Sequence, residues 1–145
     1  MCTDTLFGST KAFGGITCAQ LFVGKESKYT AVYGMKHERD GPEAFEDFIR
    51  DKGAPFCIWS DNSKMQTGNK WRRLMQKYNI RSENTEPHHP NQNPAEQRIQ
   101  DVKRCTSKVM DRTRAPLGSW FLCMLYVVMV MNKVVPKGST MSVEQ

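Results

Sequence analysis

The 145-residue chain predicts an α/β fold, a mixed five-stranded sheet flanked by helices. Short β-rich runs dominate its first third, apolar residues at helical spacing dominate the remainder, and Gly and Pro separate the segments. The resulting order, βββ-α-β-α-β-α-α, is that of a sheet covered by helices. A chain of this length is expected to form one domain with a substantial core.

Cys2 to Phe7 reads as a first strand ending at Gly8. Ile16 to Val23 is β-rich, and Gly24 to Ser27 turns it into Tyr29 to Tyr33, so the first three strands are expected to be antiparallel. Pro42 to Ile49 follows as a helix with Phe45, Phe48 and Ile49 on one face, stopped by Gly53 and Pro55. Phe56 to Trp59 is a continuous apolar run, the pattern of a strand covered on both faces. A helix over about 68–78 puts Trp71, Leu74, Met75 and Tyr78 at i, i+3, i+4 and i+7, spacing that assigns the two aromatic residues to the core. Ile80 to Thr85 is a fifth strand and Glu86 to Gln92 a polar loop. Helices over 94–112 and 117–132 complete the chain, separated at Pro116 and Gly118.

The net charge of +6 is concentrated. Residues 61–114 carry 12 basic and 6 acidic side chains, whereas residues 1–60 carry 7 and 8. Such a segment suits a polyanion, although a solvated helix face has the same composition. The five cysteines show no paired spacing, so reduced, buried thiols are expected. Met1 opens no signal peptide, and the eleven apolar residues from Phe121 to Met131 fall short of the roughly 20 that a bilayer requires. A buried core helix, with Met124, Met129 and Met131 packing inside the chain or on a second subunit, is the expectation, with no membrane partner.

Three carboxylates stand out. Asp4 lies in the first strand, Asp61 follows an apolar strand in Trp59-Ser60-Asp61-Asn62, and Glu96 opens a basic helix 35 positions after Asp61. Phosphodiester transfer needs little of a protein nucleophile, but it needs two divalent cations roughly 3.5–4 Å apart on hard oxygen ligands. Each residue also has a plain structural role: Asp61 suits a turn or cap, and Asn93, Pro94 and Glu96 make a capping-box-like helix start. Helical steps from Glu96 reach Gln100, Lys103 and Ser107, while Ile99, Val102, Val109 and Met110 fall on the core side. Arg98, Arg104 and Lys108 flank the Glu96 face. His88 and His89 lack a partner ligand and read as an exposed loop near substrate.

Thr3-Asp4-Thr5, Ser60-Asp61-Asn62 and the loop from Thr85 through Pro90, Asn91, Gln92, Asn93 and Pro94 to Glu96 together resemble the Asp-Asp-Glu core of retroviral and retrotransposon integrases. The similarity is to the copia-like group and runs in order along nearly the whole chain. Two departures are a loop one residue shorter between Pro90 and Glu96, with Pro94 where a flexible Gly is usual, and a start only three residues before Asp4, which leaves strand one little lead-in. The resemblance implies a ribonuclease H-like fold and a polynucleotidyl transferase that processes element DNA ends and joins them to target DNA. It implies Asp4, Asp61 and Glu96 as catalytic ligands of two Mg²⁺ (or Mn²⁺) ions. It further implies DNA contacts at Gln92, Asn93, Arg98, Gln100 and Lys103, and homodimers or higher multimers acting in the nucleus, with no small-molecule substrate.

On this reading residues 1–133 are a catalytic core clipped at both ends, and 134–145 are a tail. A catalytically inactive remnant that binds nucleic acid or protein is the alternative, separated by divalent-metal binding. A nuclease cutting RNA–DNA hybrids is a third reading, which the His88 to Glu96 loop disfavours.

Overall fold

The computed structural model describes residues 1–25, 27–60, 68–84 and 94–134, with the backbone alone at residues 84, 94, 95 and 96. Within these residues five strands form one mixed sheet: β1 (Cys2–Phe7), β2 (Cys18–Val23), β3 (Thr30–Met35), β4 (Cys57–Ser60) and β5 (Arg81–Asn84). Their order across the sheet is β3-β2-β1-β4-β5. β1 and β2 run antiparallel with Asp4 opposite Leu21, and β2 and β3 continue the meander. β4 joins β1 in parallel with Cys2 opposite Trp59, and β5 extends that parallel half. Among the described residues four α-helices cover the sheet: α1 (Gly41–Lys52), α2 (Asn69–Lys77), α3 (Pro94–Thr113) and α4 (Trp120–Lys133). This is the ribonuclease H-like architecture expected from the sequence.

Strand alternation sends the sheet's side chains into two cores. On one face Cys2, Leu6, Ala19, Leu21 and Val23 meet Ile99 and Val102 of α3 and Trp120, Met124 and Val128 of α4. On the other face Phe22, Ala31 and Ile58 meet Phe45, Phe48 and Ile49 of α1 and Trp71 of α2. Phe45 lies stacked between Phe22 and Trp71, with centroids 5.7 and 4.8 Å away. The helical faces read from the spacing in α1 and α2 are those that pack.

Two close approaches seat α4 on the sheet. A Cβ at Gly8 would stand 2.5 Å from the Trp120 ring, and one at Gly34 would stand 2.8 Å from Ile16 and 2.9 Å from Phe121. Trp120 Nε1 donates to Thr10 O at 2.7 Å, and Phe13 N donates to Gly118 O at 2.8 Å. The β1–β2 connection is therefore fastened to the start of α4.

Three expectations need correction. β4 is covered fully on one face and only partly on the other: it begins at Cys57, Phe56 before it is 79% exposed, and Cys57 and Trp59 are half-buried, whereas Ile58 is buried. Lys25 in the β2–β3 turn roofs Trp59, its Nζ 4.3 Å from the ring centroid. The apolar run 121–131 is not a buried helix, because Leu122, Leu125, Tyr126, Met129 and Val130 point away from the sheet. A helix against one sheet face can bury one side only. None of the five cysteines forms a disulfide, but only Cys2 and Cys18 are buried, whereas Cys57, Cys105 and Cys123 are half-buried. Burial pushes the Cys18 thiol up, only partly opposed by its hydrogen bond with Thr17, so Cys18 stays protonated and packs as a small apolar group. No described helix is long and apolar enough to cross a membrane.

Candidate active site

The parallel junction of β1 and β4 is the natural place to look, because neighbouring strand ends there bring side chains from distant sequence together. Asp4 sits mid-strand in β1, partly buried, and shares its sheet face with Cys2 and Leu6, the face that α3 and α4 cover. The Thr5 backbone N–H donates to Asp4 Oδ1 at 2.9 Å, which orients the carboxylate along the strand. Thr3 and Thr5 take the opposite face. Thr3 Oγ1 donates to Leu21 O at 2.8 Å and Thr5 Oγ1 donates to Gln20 Oε1 at 2.7 Å, so the polar residues flanking Asp4 are tied to β2.

β4 ends at Ser60, and its Trp59 packs on the Asp4 side of the sheet. The next residue in the sequence, Asp61, lies outside the described residues, as do His88, His89, Gln92 and Asn93. Glu96 falls in the first turn of α3, where the backbone alone is described. Ile99 and Val102 follow it into the core against Cys2, Leu6 and Leu21, so the start of α3 and Asp4 lie on one side of the sheet. The structure thus brings β1, the end of β4 and the start of α3 into one region, in the order the three carboxylates occupy in sequence.

Along α3 the basic face separates into two kinds of residue. Gln100, Lys103 and Ser107 are exposed, as the helical steps from Glu96 predict. Lys103 overhangs a groove of about 320 Å³ at the carboxyl end of β1, floored by Leu6, Met110, Trp120 and Met124. Arg104 is exposed and pairs with Asp101, which also accepts a hydrogen bond from Gln97 Nε2 at 3.2 Å. Arg98 differs. Its Nε donates to Thr30 Oγ1 at 3.3 Å and its Nη2 donates to Met131 O at 3.0 Å, so the guanidinium is turned onto the protein. Burial lowers its pKa from the ordinary guanidinium value, with Asp101 acting against that shift.

Thr30 is held a second time. Asn132, buried in the last turn of α4, accepts from Thr30 N at 3.0 Å and donates its Nδ2 to Thr30 O at 2.8 Å. Sequence reasoning missed this Arg98–Thr30–Asn132 tie. Its one signal was a lone Asn after an apolar run, a residue that must find partners when buried.

A pair of Mg²⁺ ions calls for hard oxygen donors, and the partly buried, backbone-oriented Asp4 carboxylate is one. Among the described residues no three His, Cys, Asp or Glu side chains gather closely enough to hold a metal. The remaining two carboxylates in the expected set have side chains outside that description.

Comparison by sequence finds no matching family model and no matching curated protein. Comparison by structure finds retroviral integrases. A chain of the simian T-cell lymphotropic virus intasome, in complex with the PP2A regulatory subunit B56 gamma, superposes with a TM-score of 0.79 at 16% identity, over 99% of this chain and 52% of that one. The HTLV-2 integrase catalytic core domain in complex with magnesium gives 0.75 at 18% identity, over 99% of this chain and 92% of its own. The BIV integrase catalytic core domain gives 0.75 at 14% identity, over 99% and 89%. The chain therefore spans about half of the intasome chain and about nine-tenths of the isolated cores. At such identities the shared property is the fold, that of integrase catalytic cores.

Proposed function

We propose that this chain is the catalytic core of a retrotransposon integrase of the copia-like group, a metal-dependent polynucleotidyl transferase acting on DNA. The observation that carries the reading is the common sheet face of Asp4, Trp59 at the end of β4 and the first core residues of α3. Asp61 is bonded to the end of that strand and Glu96 belongs to the first turn of that helix. Asp4, Asp61 and Glu96 would together hold two Mg²⁺ or Mn²⁺ ions. Ions so held would activate the attacking oxygen and stabilise the leaving one.

The chain's own residues supply the rest. A carboxylate on a central strand is held rigidly, because β1 has a partner on both edges. Lys103 and Gln100, exposed along the helix whose first turn contains Glu96, face the DNA backbone. Contacts of this type give affinity and salt dependence, not sequence selectivity. The reaction is phosphodiester transfer in two stages: water cleaves near the element end, then the freed 3′-hydroxyl attacks target DNA in the nucleus.

A partner of the same kind fits the outer face of α4. Leu122, Leu125, Tyr126, Met129 and Val130 form an exposed apolar stripe at helical spacing, larger than a monomer's scattered surface apolar residues. HTLV-2 cores with the same fold occur in dimeric and trimeric forms. We assign this stripe to self-association.

The reading is tested with labelled duplex DNA carrying a candidate element end, in Mg²⁺ or Mn²⁺, using wild type, Asp4→Asn, Asp61→Asn and Glu96→Gln. Loss of cleavage in all three variants, with folding intact, is expected. Cleavage that persists in Asp61→Asn overturns the assignment. A folded wild-type chain that neither binds metal nor cleaves is the inactive remnant.

A further inference from the structure

The tie between Arg98, Thr30 and Asn132 connects three elements whose sequence positions are remote. Asn132 stands 102 residues from Thr30, and Arg98 stands 68 residues from it. The Asn132 amide exchanges two hydrogen bonds with the Thr30 backbone, as a neighbouring strand would, at the outer edge of β3 where the sheet ends. Arg98 then joins that point to the last turn of α4, where carbonyls run out of helical partners and the helix end carries partial negative charge. Three elements are thus indexed to one another by side chains rather than by apolar packing alone.

Apolar packing sets the distance between α3 and the sheet, but it resists axial sliding and rotation of the helix only weakly. A forked donor with two fixed acceptors resists both. Arg98 lies two residues after Glu96, about 3 Å along the helix axis, and the helical backbone transmits any shift between them. A metal site tolerates ligand displacement of only about 0.5 Å.

We infer that Arg98 is a positioning residue: with Thr30 and Asn132 it fixes the first turn of α3, and so the Glu96 carboxylate, relative to Asp4. The inference rests on the metal-binding reading given above. It also changes the role expected of Arg98, from a contact with DNA phosphate to a contact within the protein.

Arg98→Gln, Arg98→Lys and Asn132→Ala separate these roles. Each is examined by calorimetric titration with Mn²⁺ well below its melting temperature, and by DNA binding across a salt series. Asn132 is 6% exposed and has no access to DNA. If Arg98 positions Glu96, Arg98→Gln and Asn132→Ala both weaken Mn²⁺ binding by about tenfold, as loss of supporting contacts around metal ligands does. Arg98→Lys does not restore it, since a single ammonium replaces the fork, and the slope of DNA affinity against salt stays unchanged in all three.

If Arg98 contacts phosphate, Arg98→Gln lowers the salt slope by about one, Arg98→Lys rescues it and Asn132→Ala has no effect. That result overturns the inference. So does a lowered melting temperature with unaltered Mn²⁺ affinity in the folded protein, which marks a stabilising contact only. A wild-type chain that binds no Mn²⁺ overturns the metal-site reading itself, and the inference falls with it.

Discussion

Asn132 and Thr30 face each other across 102 positions of sequence and exchange two hydrogen bonds, amide to backbone in both directions. This makes the last turn of α4 an extension of the sheet edge. Truncating Asn132 leaves a buried N–H and a buried C=O without their amide partner. Asn132→Ala is therefore expected to lose about 2 kcal/mol of stability, within the range for stranded polar groups. Urea unfolding followed by circular dichroism measures this. A loss below about 0.5 kcal/mol, the level of an ordinary surface change, contradicts it.

Phe45 is fully buried between two stacked rings on the α1/α2 side of the sheet. Its replacement by Ala removes both contacts and opens a cavity, at an expected cost of about 3–5 kcal/mol. The same unfolding experiment reads it. The Asp4 face lies across the sheet, so Phe45→Ala tests whether the two cores are one cooperative unit. A two-step transition shows that they are not.

The Tyr33 hydroxyl donates to Asp51 Oδ2 at 3.0 Å, and burial together with that carboxylate raises its pKa beyond the usual phenol range. The folded chain thus holds the phenolic proton more tightly than the unfolded chain. The associated stability is fully present below the unfolded phenol pKa of about 10 and is lost as pH rises beyond it. Wild type is expected to melt progressively earlier above that pH, and Tyr33→Phe to show a shallower decline. Equal slopes in the two proteins contradict the assignment.

The outer face of α4 gives a prediction about assembly. Leu125 is 40% exposed and lies amid the apolar stripe, so Leu125→Glu costs the monomer little. It places a charge where a second copy would desolvate it. Sedimentation is expected to find wild type self-associated and Leu125→Glu monomeric at the same concentration. A monomeric wild type removes the stripe from consideration as a self-association surface.

Much of this architecture was legible because it depends on local pattern. The face of α2 led by Trp71, the face of α3 led by Ile99 and Val102, and the antiparallel meander all follow from side-chain periodicity and turn residues. Errors arose where tertiary context decides. The run from Phe121 to Met131 has no polar stripe, so nothing local reveals which side meets the sheet. Phe56 looked like a strand residue, but β4 begins one position later, because its pairing partner β5 begins at Arg81, opposite Cys57. At the site, Gln100 and Lys103 point outward as their spacing from Glu96 predicts. Arg98 was grouped with them on charge, and its turn inward depends on Met131 and Thr30, which no local rule could supply.

On the proposed function, three carboxylates from β1, the end of β4 and the start of α3 form one divalent-metal site. Calorimetric titration of the purified chain with Mn²⁺, repeated on Asp4→Asn and Asp61→Asn, tests it most directly. Saturable binding in wild type, abolished in both variants with circular dichroism spectra unchanged, is expected. A well-folded wild-type chain that takes up no Mn²⁺, or equal binding in all three proteins, contradicts it.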